Sequence, residues 1–254
     1  GTVDVHRALV HSCNVFYYLL GKKVGIDAIS KYAKMFGIGE LSGIDIPGES
    51  RGNPPSAEWK QRIHKEPWYP GDTISVSIGQ GLLATTPVQM ATMISAVANG
   101  GTLVQPHLAR DAKFATEKIP VSAATLALIR DALADVVEEG TATKAQLGPI
   151  RVAGKTGTAQ VFKKSVGVDA DKQPKDERDH AWFIGYAPAE NPEIAFAIVI
   201  EHGGHGGTTA APVARKVLEV FFEDRLPRKE EVPELQAKLA SHPETRSAAT
   251  PTPR

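Results

Sequence analysis

With 254 residues, 42% of them hydrophobic and 23% charged, the chain can bury a packed core and corresponds to one domain or a large part of one. Its 29 basic and 29 acidic residues cancel, which leaves no electrostatic footprint for nucleic acid or an anionic membrane surface. The single cysteine, Cys13, excludes an internal disulfide, and no apolar run approaches the roughly 18 residues that span a bilayer.

The opening Gly1-Thr2-Val3-Asp4, with neither an initiator methionine nor a signal peptide, reads as that of a fragment or processed product. Val5, Ala8 and Leu9, then Val15, Phe16, Leu19 and Leu20, have helical spacing broken by the polar triplet Ser12-Cys13-Asn14. The triplet marks a helix junction at which Ser12 is expected to cap the second helix. A further helix is expected from Ile26 to Phe36, stopped by Gly37. From Gly37 to Thr86 the periodicity is lost among prolines and glycines, and so long an irregular stretch in a compact domain points to binding or lid duty. Trp59, Trp68 and Tyr69 are expected to anchor this excursion to the core. It ends in Ser77-Ile78-Gly79-Gln80-Gly81, whose glycines permit close backbone approach.

Thr86-Pro87 opens a core helix running to Ala98, and Ser122 opens another that ends at Gly140. The last third changes period. Val152 to Gln160 forms a strand on which Thr156 and Thr158 share one face and Lys155 leans the other way, with Gly157 leaving room for a substrate backbone. A charged stretch spans 163–179. Two more strands follow, Trp182 to Tyr186 and Ile194 to Ile200, joined closely enough to pair antiparallel, the last apolar on both faces and so covered on both. A helix from Thr208 to Glu223 should cover one face with Val213, Val217, Val220 and Phe221. Residues 1–226 therefore read as folded domain, and the charged, Ser/Pro-rich tail 227–254 as disordered. The fold class is α/β of the α+β type, an antiparallel sheet flanked by helices.

Two motifs carry chemistry. Ser12-Cys13-Asn14 at a helix junction is followed 143 residues later by Lys155-Thr156-Gly157 on a strand. These are two of the three parts of a serine acyltransferase signature. With Ser42 to Pro47, Glu58 to Gln61, Pro67-Trp68-Tyr69, Gly71-Asp72-Thr73, Gly79-Gln80-Gly81 and Lys155 to Phe162, the chain resembles the transpeptidase domain of class B penicillin-binding proteins, most closely the penicillin-binding protein 2 branch, over roughly Gly1 to Asp224.

The resemblance implies a D,D-transpeptidase acting on the D-Ala-D-Ala end of a peptidoglycan stem peptide through an acyl-serine, and binding β-lactams. It implies that Ser12 relays a proton to the departing amine and Asn14 holds the donor peptide. Lys155, with the Thr156 and Thr158 hydroxyls, would meet the terminal carboxylate, beside Gly157 and Gln160, and the Thr158 N–H would serve an oxyanion hole. The family's nucleophile stands in Ser-x-x-Lys, and no serine here is followed by lysine at the third position. The nucleophile is thus expected outside this chain, and the sheet is expected to be incomplete at its N-terminal side, with an open apolar edge. No metal or cofactor is implied. The implied setting is extracytoplasmic, on a parent anchored in the inner membrane beside a membrane glycosyltransferase. Alternatives are a β-lactam-sensing module without catalysis, or a β-lactamase or carboxypeptidase. Glu49 to Asn53 has the Glu and Asn spacing of a β-lactamase deacylation motif but lacks its leucine, and His202 with His205 is expected to form a plain turn.

Overall fold

The computed structural model describes residues 2–161 and 174–226. The tail from 227 and most of the 163–179 stretch lie outside the described residues. Three strands, β3 (Ala153–Ala159), β4 (His180–Ala187) and β5 (Ile194–Ile200), form an antiparallel sheet in the order β3-β4-β5. Lys155 faces Ile184, Gly157 faces Trp182, and Phe183 faces Ile198 across the ladders.

Alternation along the strands builds two cores. On one face Ala181 and Phe183 pack with Ala210, Ala211, Ala214 and Leu218 of helix α7 (Gly206–Phe221). On the other, Ala153, Ile184 and Tyr186 pack with Ile94 of α5 (Pro87–Ala98) and Leu133 of α6 (Ala123–Glu138). The strand sealed on both faces is β4. Strand β5 is only half-buried along its whole length, because it is an edge strand among the described residues and α7 covers it far less than it covers β4.

Helices α5 and α6 start where their caps require. Thr86 and Gln89 form a reciprocal capping box, and Ser122 Oγ accepts from Thr125 N–H at 3.1 Å. Helix α7 departs from expectation in the face it presents. Its predicted stripe of Val213, Val217, Val220 and Phe221 is exposed, and the small residues Ala210, Ala211 and Ala214 meet the sheet instead. Close approach explains the choice: a Cβ on Gly206 would fall 2.5 Å from the Gly157 carbonyl oxygen, so the helix lies too near the sheet for valines.

At the chain's start α1 (Val5–Val10), capped by Asp4, and α2 (Asn14–Met35) meet at the polar triplet. Ser12 is not the cap that spacing suggested. Cys13 occupies that position without a side-chain bond, and Ser12 takes a left-handed φ of 51° that turns its hydroxyl elsewhere. Gly25, at φ 78°, splits α2 in two, so a separate second half runs on to Met35.

The irregular excursion holds two short helices that periodicity missed, α3 (Ala57–His64) and α4 (Pro70–Val76). Lys60 clamps them: its ammonium meets Asp72 Oδ2 at 2.7 Å and the Tyr69 ring at 4.5 Å, while Asp72 also accepts from Tyr69 N–H at 2.8 Å. Trp68 donates to Thr73 Oγ1 at 2.8 Å and Trp59 packs edge-on against His64, so both serve the excursion itself. Buried Gln89 ties the preceding loop to α5 through the carbonyls of Glu40 and Arg51. A small hairpin, β1 (Thr102–Val104) with β2 (Thr116–Lys118), was also not foreseen.

Candidate active site

A cleft of about 810 Å³ opens beside the outer edge of β3. Its walls are the α1–α2 junction, the loop after α4 from Ser77 to Gln80, the turn at Thr141 to Lys144, and the first residues of α7. Folding brings the two sequence motifs together there. Lys155 Nζ donates to Ser12 Oγ, to the Thr156 carbonyl oxygen at 3.1 Å and more weakly to Thr156 Oγ1 at 3.4 Å. The left-handed turn at Ser12 is what aims its hydroxyl at the lysine.

Lys155 is largely buried, and desolvation pushes its ammonium down to about 8. Among the described residues no carboxylate stands within ion-pair reach of Nζ, so the cleft holds an unbalanced positive charge lined by hydroxyls. Thr156 Oγ1 bonds Thr141 Oγ1 at 2.7 Å, which fixes its rotamer and joins the 141–144 turn to β3. Asn14, exposed at the start of α2, lines the same cleft, as does Thr158. Gln160, exposed just past the strand, borders an adjoining hollow rather than the main cleft.

Gly157 has a simpler reason than room for a substrate. A Cβ there would meet Trp182 Cβ at 3.1 Å, so the space belongs to the neighbouring strand. Sequence reasoning missed Thr141, which lies outside any motif, and Tyr17, whose buried hydroxyl has no hydrogen-bond partner among the described residues. Desolvation, helped by Cys13, pushes that phenol up to about 12. Gln80 was legible only as the middle of a Gly-x-Gly, yet its carboxamide bridges the cleft to β3, donating to the Thr158 carbonyl at 2.7 Å and accepting from Gln160 N–H at 3.2 Å.

Other residues singled out in sequence fall elsewhere. Glu49 is engaged by the backbone N–H groups of Ser42 and Gly43, at 2.7 and 3.1 Å, and does not line the cleft. His202 is held by its own strand ends, its N–H on His180 Nδ1 at 2.9 Å, while His205 caps α7 in the cleft wall, so the two do not form a ligand pair.

Fold and cleft define an α/β protein whose site runs along the free edge of an antiparallel sheet. The chain belongs to the penicillin-binding protein transpeptidase family, whose domain model matches residues 1–219. It is 39% identical over 238 residues to the peptidoglycan D,D-transpeptidase MrdA of Acinetobacter baumannii, covering 89% of this chain and 35% of that protein. Among solved structures it resembles penicillin-binding protein 2 in its complex with MreC from Helicobacter pylori, with a TM-score of 0.76 and 31% identity over 87% of this chain and 41% of the other. It also resembles a chain from a peptidoglycan synthase complex that coordinates polymerization and crosslinking, with a TM-score of 0.74 and 32% identity over 90% of this chain and 39% of that one. The chain thus spans little more than a third of the curated relative's length.

Proposed function

We propose that this chain is the ligand-clamping part of a peptidoglycan D,D-transpeptidase whose attacking serine, in Ser-x-x-Lys, lies outside these 254 residues. The observation that carries the reading is the buried, carboxylate-free ammonium of Lys155 in a hydroxyl-lined cleft. A cation desolvated without a counter-ion is matched by a ligand carboxylate, and the D-Ala-D-Ala terminus and the penicillin carboxylate both supply one.

In this reading the serine oxygen attacks the penultimate D-alanine carbonyl, the C–N bond breaks, and the terminal D-alanine leaves as an amine that takes up a proton. An acceptor amine then displaces the serine. Lys155 with the Thr156 and Thr158 hydroxyls holds the carboxylate, and the Thr158 N–H supplies half of an oxyanion hole. Ser12, in contact with Lys155, passes the proton to the departing amine, and Asn14 binds the donor peptide. Gly157 leaves its side-chain space to Trp182 on the neighbouring strand, and Gly206 lets α7 approach the Gly157 carbonyl. The relatives' association with MreC and with a peptidoglycan synthase supports an extracytoplasmic parent working beside a membrane glycosyltransferase. Incubating the parent with fluorescent penicillin tests the reading: one adduct per chain on the Ser-x-x-Lys serine is expected, and a parent that forms none overturns it.

A further inference from the structure

Among the described residues strand β3 pairs only with β4, and its other edge looks into the cleft. The N–H and C=O of a strand residue point to the same side and alternate along the chain. Those of Thr156, Thr158 and Gln160 therefore all project towards the cleft. Lys155 occupies the Thr156 carbonyl. Gln80 occupies the next acceptor and the donor after it, Thr158 C=O and Gln160 N–H. One primary carboxamide thus offers β3 the same donor and acceptor that a peptide group would offer when an extended ligand is added as a further strand.

The bridge stands where the trough is divided. On one side lies the main cleft with Ser12, Lys155 and Thr156. On the other is a hollow of about 360 Å³ bounded by Tyr18, Ile74 and Gln160, and Gln80 and Thr158 belong to both. Gln80 reaches this point from a short loop flanked by Gly79 and Gly81, both left-handed at φ 75° and 74°. Two such glycines let the loop reorient without the steric cost that other residues would carry.

We propose that Gln80 is a latch across the trough, and that a ligand whose amide N–H extends along β3 must take the Thr158 carbonyl from it. Gln80 thereby sets the enzyme's selectivity between compact and extended ligands. The proposal rests on the reading that the cleft takes acyl-D-Ala-D-Ala peptides and penicillins.

The test compares acylation of the parent by benzylpenicillin, which carries an acylamino N–H, with acylation by penicillanic acid, which has no substituent, and so no N–H, at that carbon. Gln80→Ala and Gln80→Met both remove the competing amide, the second while keeping the side chain's length. Each should raise the benzylpenicillin rate about threefold to tenfold, the range expected when one modest hydrogen bond no longer competes. The penicillanic acid rate should stay within twofold, which also shows that the variants are folded. If both rates fall together, Gln80 is a prop for its loop and the latch is wrong. Unchanged rates with both ligands overturn it too. An unsubstituted parent that neither penicillin acylates sinks the transpeptidase reading and the latch with it, whereas the other failures remove the latch alone.

Discussion

Lys155 carries a charge that folding has made expensive, and the sign of its pH dependence follows. Its folded pKa of about 8 lies below the ordinary 10.5, so between those values the unfolded chain binds more protons and stability rises with pH. Below about 8 the desolvation cost, roughly 3 kcal/mol as an upper figure from the shift, is present in full. Denaturant unfolding at pH 7.5 and pH 10 should show this gain, and Lys155→Met should remove it; an equal gain in the variant would put the ammonium in water. For ligand capture the dependence is opposite, because the cation is lost above about 8. Acylation of the parent should decline there, and Lys155→Ala should slow it about tenfold or more at neutral pH, as expected for loss of a charge-assisted contact.

Ser12 can be argued at the same scale. A non-glycine residue at φ 51° is strained by of order 1 kcal/mol, and the strain is the means of pointing its hydroxyl at Lys155. Ser12→Gly should therefore raise the melting temperature while slowing acylation, and Ser12→Ala should slow acylation without that gain. Melting curves with acylation rates decide the matter: a Ser12→Gly variant that loses stability would show the hydroxyl to be structural. The motif spacing announced that Ser12 and Lys155 belong together. The left-handed turn that joins them has no sequence signature, since serine rarely adopts it.

At the scale of elements, legibility followed local chemistry. Helices α5 and α6 could be read because Thr86 and Ser122 satisfy their first N–H groups from within a few residues. The face of α7 could not, because its choice of alanine over valine is imposed by the close approach of the helix, at Gly206, to the backbone of strands far away in sequence. Ala214→Leu should consequently cost about 1–3 kcal/mol by overpacking, and Val217→Lys, at a position 47% exposed, should stay within about 0.5 kcal/mol in this chain. Comparable losses in the two variants would restore the valine stripe as the covering face. Likewise α3 and α4 depend on the Lys60–Asp72 contact between them, not on apolar periodicity. Lys60→Ala should open the segment around Arg62 to Tyr69 to limited proteolysis, with cleavage sites mapped by mass spectrometry; an unaltered digestion pattern would show that the clamp is dispensable.

Taken whole, the molecule leaves apolar surface without cover among the described residues. Val15 and Leu19 lie 64% and 66% exposed one turn apart on α2, close to the cleft, while Val217, Val220 and Phe221 are exposed on α7 and β5 has one free edge. Such patches mark contacts still to be made. This chain alone should self-associate in sedimentation experiments and yield no covalent penicillin adduct by intact mass. A stoichiometric adduct on one of its own serines would overturn the placement of the nucleophile.

The glycine seam between β3 and α7 has an evolutionary consequence. Gly157 leaves its side-chain space to Trp182 and Gly206 leaves its own to the backbone of Gly157 and Trp182, so an added atom at the first presses β3 from β4 and at the second parts the helix from the sheet. A lineage under selection by cleft-filling drugs would find few viable changes there. Escape routes should concentrate on the opposite bank, at the side chains of Ser77 and Ile78, because Gly79 and Gly81 beside them hold left-handed turns that other residues would strain.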